Sequence, residues 1–177
     1  INYFKNDIHF KIHKRNQKID IENYNVLHFA GIAHDLKKSF NDNIYWDVNV
    51  NLTKQIFDEF LKSKAKVFIY LSSIKAATDN YDGILDETYL SNPSNVYGQT
   101  KLVAESYLLS KKLPNEKKVF ILRATMIHGP HNKGNLNILY KFLRYSFIWP
   151  FSKFNNYRSY CSIENLCFVI NELLNRS

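Results

Sequence analysis

The sequence predicts an α/β protein built on a doubly wound parallel sheet, and three observations carry that prediction. Short runs rich in Val, Ile, Leu and Phe, without apolar–polar alternation, occur at Asn25–Ala30, Val67–Leu71 and Val119–Ala124. Such runs are expected of strands covered on both faces. Longer segments with helical spacing separate them, at Val50–Ser63 and Val96–Leu109, and strand, helix, strand, helix, strand is the order of parallel crossover units.

Taken along the chain, Tyr3–Ile12 has the composition of a strand, and the polar Lys14–Lys18 that of a loop. The next run ends in His28-Phe29-Ala30-Gly31, where small residues let a ligand approach the backbone. In the first helical segment Val50, Ile56, Phe57, Phe60 and Leu61 share a face, and in the second Val96, Leu102, Val103, Tyr107 and Leu108 do so. Gly129-Pro130 closes a strand end, Gly134 interrupts a polar loop, and Leu136–Phe147 has helical spacing. Ser162 fits the N-cap of a last helix, Ile163–Leu174, apolar along Leu166, Val169, Ile170 and Leu173.

The 177 residues suffice for one domain with a real core. No apolar run approaches the roughly 20 residues that span a bilayer, and the expectation is a protein with no membrane association. Cys161 and Cys167, flanked by apolar and aromatic residues, read as reduced core thiols and not as a disulfide or metal site. That implies a reducing, cytoplasmic setting. The net charge of +8 comes from lysines scattered at the ends of periodic segments, as on solvated faces, so nucleic acid is not an expected partner. The start at Ile1, without a Met or a leader pattern, reads as a beginning inside a longer protein.

The sharpest chemical feature is Tyr97-Gly98-Gln99-Thr100-Lys101. On a helix, positions i and i+4 lie on one face about 6 Å apart. An ammonium there is expected to lower the Tyr pKa from about 10, so that the phenol exchanges a proton near neutral pH. Upstream, Phe68-Ile69-Tyr70-Leu71-Ser72-Ser73 delivers serines at a strand's carboxyl end, where open α/β sheets bind ligands.

These pieces occur in register: HFAGIAH at 28–34, NVNLT at 49–53, FIYLSS at 68–73, YGQTK at 97–101, LRATMIHGP at 122–130, KGNL at 133–136 and RSYCSIENL at 158–166. Together they resemble the extended short-chain dehydrogenases/reductases, specifically the NAD-dependent epimerase/dehydratase group that acts on sugar nucleotides. The resemblance implies a Rossmann-type sheet over residues 1–130 that lacks its first βαβ unit. Residues 131–177 would begin a small, interleaved substrate domain. It implies Tyr97 as acid/base, Lys101 as the group that orients the nicotinamide ribose, and Ser73 as the hydrogen-bonding partner of the reacting sugar oxygen. Phe29, Ala30, Gly31, Leu71 and Ala124 would line the cofactor, with Asn49 as a structural hydrogen-bonder behind it and Asp7-Ile8 at the adenine. Asn135 and Arg158 fall where the family contacts the substrate's diphosphate. The cofactor implied is NAD or NADP, with NAD favoured. A homodimer through segments 35–63 and 97–111 would follow the same analogy.

Two departures narrow the reading. No glycine precedes Gly31, so the phosphate-cradling loop is missing, which truncation explains; the chain alone is expected to bind a dinucleotide poorly. After Ser73 comes Ile74-Lys75 where the dehydratase branch carries an acidic pair, which disfavours dehydration. SSIK at 72–75, with KGNL and the late RSY segment, instead resembles the branch of 4-epimerases and 4-keto reductases of N-acetylated hexosamine nucleotides, and that resemblance implies epimerisation or 4-keto reduction, at C4, of a UDP-N-acetylhexosamine-type substrate. A silent nucleotide-binding relative is the alternative.

Overall fold

A computed structural model describes residues 21, 24–33, 41–130, 135–145 and 157–175. Strands β1 (Val26–His28), β2 (Val67–Ser73) and β3 (Lys118–Ala124) form a parallel sheet in the order β1-β2-β3. Strand β2 buries side chains on both faces, which is why it reads as a continuous apolar run. On one face Phe68 and Tyr70 pack with Phe57, Phe60, Ala104 and Leu108. On the other, Val67 and Ile69 meet Leu166 and Ile170. Each fully buried aromatic or branched side chain there contributes about 1.5–3 kcal/mol over its exposed state.

Helices α2 (Leu52–Lys62) and α3 (Val96–Ser110) supply the first layer and α5 (Ile163–Asn175) the second. The helix leading into α2 begins earlier than the spacing predicted. Asn41 caps α1 (Asp42–Tyr45), which runs through a π-helical turn, Trp46–Asn51, into α2. The wider turn buries three consecutive residues, Val48, Asn49 and Val50, a pattern that no 3.6-residue period produces. Two further strands, β4 (Met126–His128) and β5 (Tyr160–Ser162), pair in parallel as a second small sheet. At three residues each they leave no periodic signal. Helix α4 (Asn135–Tyr145) lies between them in sequence, and Ser162 Oγ accepts from Asn165 N at 3.1 Å, capping α5 as expected. Cys161 and Cys167 are free thiols. Among the described residues, no helix is long and apolar enough to cross a membrane.

Not all lysines are on solvated faces. Lys117 is buried, and its ammonium donates to the carbonyls of Phe60, Ser63 and Ala65 at 2.9, 2.8 and 2.6 Å, closing the C-terminus of α2.

His28 is 3% exposed and stacks on Tyr70 with ring centroids 5.5 Å apart. Thr53 gives its hydroxyl proton to Asn49 O at 2.8 Å, so His28 Nε2–H donates to Thr53 Oγ1, also at 2.8 Å. Burial, reinforced by the Lys101 charge, brings His28 from 6.5 down to about 3. Between these values the unfolded chain binds a proton that the folded chain refuses, so stability is lost as pH falls. Urea unfolding at stepped pH should show a loss approaching 1.4 kcal/mol per pH unit from this group below about 6.5. A His28→Asn chain with the same slope would place the acid sensitivity elsewhere.

Candidate active site

The site is assembled where α3 starts. Asn95 caps the helix by accepting from Gly98 N at 2.8 Å. The Asp79 carboxylate in turn holds Ser94 and Asn95, accepting from Ser94 N at 2.7 Å, from Asn95 N at 3.1 Å and from both side chains. Burial raises the pKa of Asp79, but the hydrogen bonds from Ser94 and Asn95 outweigh it and keep the group below the usual carboxylate range. At Gly98 a Cβ would lie 2.3 Å from Lys75 O and 2.8 Å from Pro93 Cβ. Only glycine lets α3 rest directly on the turn, Ile74–Ala76, that follows β2. This seats Tyr97 against Ser73.

Tyr97 sits beside Ser73, whose hydroxyl pulls the Tyr97 pKa down, and Ser73 Oγ accepts from Lys75 N at 3.2 Å. One turn along, Lys101 is 3% exposed, and its ammonium donates to Leu71 O at 2.9 Å and lies 4.6 Å from the Tyr70 ring centroid. Burial pulls Lys101 down to about 8, against an opposing pull from Glu105.

Behind them Asn49 is fully buried. Its Oδ1 accepts from Ile32 N at 2.9 Å, and its Nδ2 donates to Ile32 O at 3.2 Å and to Thr100 Oγ1 at 3.0 Å. Asn49 thus fixes the backbone just past Gly31 to α3. A Cβ at Gly31 would come 3.1 Å from Lys101 Nζ and 3.3 Å from Asn49 Oδ1, so the glycine brings a bare backbone edge to the ammonium.

The structure therefore brings together Gly31, Asn49, Leu71, Ser73, Tyr97 and Lys101. Phe29 and Ala30 are exposed on the segment leading to Gly31, and Ala124 pairs with Ser73 in register. Arg158 is exposed and precedes β5, while Asn135 opens α4. Asp7 and Ile8 lie outside the described residues. One expectation is corrected: Tyr97 is not depressed. Burial pushes its pKa up, the Ser73 hydroxyl pulls the other way, and the Lys101 ammonium is directed at Leu71 O. Sequence reasoning also missed Asp79, Asn95 and Glu105. For Asn95 the signal was its place three residues before Gly98, as for a helix N-cap. For Glu105 it was the i+4 step beyond Lys101.

A three-stranded parallel sheet with helices on both faces, and a serine, tyrosine and lysine gathered at its carboxyl end, place the protein among the Rossmann-type short-chain dehydrogenases/reductases. The model of the 3-beta hydroxysteroid dehydrogenase/isomerase family matches residues 2–170, and the chain belongs to that family. It is 34% identical over 157 residues to a UDP-glucose 4-epimerase of Vibrio cholerae, covering 82% of this chain and 46% of the relative. It is 31% identical over 125 residues to the N-acetyl-alpha-D-glucosaminyl-diphospho-ditrans,octacis-undecaprenol 4-epimerase of Escherichia coli O157:H7, covering 70% of this chain and 38% of the relative. The chain thus spans less than half the length of these curated relatives. The solved structure of MoeE5 in complex with UDP-glucuronic acid and NAD shares the fold, with a TM-score of 0.71 at 21% identity over 88% of this chain and 53% of that one.

Replacing Gly98 with alanine sets a methyl against the Lys75 carbonyl, which is backbone and cannot swing away. A loss of about 2 kcal/mol in denaturant unfolding is expected. Unchanged stability would mean that α3 does not lie on this turn.

Proposed function

We propose that this chain is the catalytic core of an NAD-dependent enzyme that transfers hydride at C4 of a UDP-N-acetylhexosamine-type nucleotide sugar, as an epimerase or 4-keto reductase. The observation that carries the reading is Tyr97 set beside Ser73 with Lys101 one turn along, at a strand end bordered by a glycine edge. Relatives named as nucleotide-sugar 4-epimerases support the substrate class. Residues 1–130 would form the dinucleotide half and 131–177 the start of the sugar-nucleotide half, working in the cytoplasm. A homodimer through segments 35–63 and 97–111 belongs to the same reading.

The residues present fit a nicotinamide dinucleotide. Gly31 leaves open the space that a Cβ would take from Lys101, and Phe29 and Ala30 are exposed beside it. Bound there, the nicotinamide would accept a hydride from the sugar carbon and return it. Lys101 would hold the ribose hydroxyls, with Leu71, Asn49 and Ala124 shaping the wall and Asp7-Ile8 reaching the adenine. Ser73 would hold the sugar oxygen, and Asn135 and Arg158 the diphosphate.

Tyr97 carries the proton. Its raised pKa keeps the phenol protonated at neutral pH, ready to donate to a keto oxygen during reduction. In the oxidative direction the same oxygen must take the proton from the sugar hydroxyl, aided by the Ser73 hydroxyl beside it. After Ser73, Lys75 gives its ammonium to Asp79 O at 2.5 Å, and Ile74 has no acid or base to offer, so nothing there supports loss of water.

The test is the full-length protein incubated with NAD and UDP-N-acetylhexosamines, with products separated by chromatography. Interconversion of C4 epimers is expected, falling about 10³-fold in Tyr97→Phe. Cofactor binding without turnover of any nucleotide sugar or 4-keto derivative would instead make the protein a silent nucleotide binder.

A further inference from the structure

Helix α3 meets β2 through three side chains spaced one turn apart. Tyr97 lies against Ser73, Lys101 donates to Leu71 O, and Glu105 accepts from Ser72 Oγ. The first two are the proposed catalytic pair, and the third is unassigned. Glu105 is 2% exposed, and its carboxylate also takes the Arg123 guanidinium, with Nε at 3.0 Å and a terminal nitrogen at 2.6 Å from Oε2. Arg123 pairs with Ser72 in the β2–β3 register, so one carboxylate ties the ends of both strands to the helix. A buried carboxylate bound to two side chains on two strands is more than is needed to seat a helix that already packs through Ala104 and Leu108.

We propose that Glu105, balanced by Arg123, is a positioning residue that sets α3 against the end of β2 and supplies the negative charge that keeps the Lys101 ammonium in place. Its catalytic meaning rests on the reading of Tyr97 and Lys101 above. Among the described residues, the other groups facing Lys101 do not supply that charge. Tyr70 offers its ring, Tyr97 is a phenol, His28 is neutral, and Asn49 and Gly31 are uncharged. Glu105 favours the protonated lysine where burial opposes it.

The two partners have opposite signs, so their neutral variants must act oppositely if charge is the cause. The measurement is the Lys101 titration by NMR of the ε-¹³C-lysine-labelled protein, with the resonance assigned through Lys101→Arg. Glu105→Gln leaves Arg123 uncompensated and should lower the midpoint by about one pH unit, a tenfold loss of proton affinity. Arg123→Gln leaves Glu105 uncompensated and should raise it by a similar amount. Shifts in the same direction, or none in either variant, would overturn the proposal. Should Glu105→Gln fail to fold by circular dichroism, Arg123→Gln decides alone, a rise supporting the proposal and a fall or no change overturning it. In turnover the alkaline limb of the kcat/KM profile should follow the Lys101 midpoint. The titration needs no turnover, so it stands even where the activity assay shows no nucleotide-sugar chemistry.

Discussion

Helix α3 lies on the carboxyl end of β2 so closely that no side chain fits at Gly98, and the rest of the site depends on that approach. It brings the Tyr97 hydroxyl to Ser73 and lets a lysine reach a main-chain carbonyl of the strand. Close packing of this kind is unforgiving, because the Lys75 carbonyl that Gly98 meets is main chain of the turn after β2 and cannot swing aside as a side chain can. The Asp79–Ser94–Asn95 clamp and the Asn95 cap secure the same approach from the loop side. Packing and capping here serve one geometry.

Behind the site the interior is polar where a purely structural core would be apolar. His28, Thr53, Asn49, Thr100, Lys101, Ser72 and Glu105 are all buried, on elements drawn from β1, the π-helical turn, α2, β2 and α3. Buried polar groups are tolerated when their partners are in place, as the buried Glu105 carboxylate is by the half-buried Arg123 guanidinium. Such an arrangement orients side chains sharply. It also ties the protonation of Lys101 and His28 to the folded state, because both are held below their ordinary values chiefly by burial.

Much of this was legible in the chain. The three strands of the main sheet announced themselves as unalternating apolar runs because both faces of β2 are covered. Helix α3 kept its boundaries within a residue or so, since its cap and its close are local. The start of the helix before α2 was illegible because the π-helical turn breaks the 3.6-residue period. The strand end expected at Gly129-Pro130 is that of β4, a strand separate from β3, and β5 was missed because it exists only through its pairing with a partner distant in sequence.

The sequence by itself determined the order of parallel crossover units, the strand end that carries the serines, and the placing of tyrosine and lysine one helical turn apart, because these depend on local period and spacing. Only the tertiary structure decided the electrostatics. Whether Tyr97 titrates low or high depends on what surrounds it: burial raises it, while the lysine expected to lower it donates to Leu71 O. The roles of Glu105 and Asp79 were hidden for the same reason. A carboxylate's function is set by the donors that converge on it, and those donors lie on strands and loops that only folding brings together.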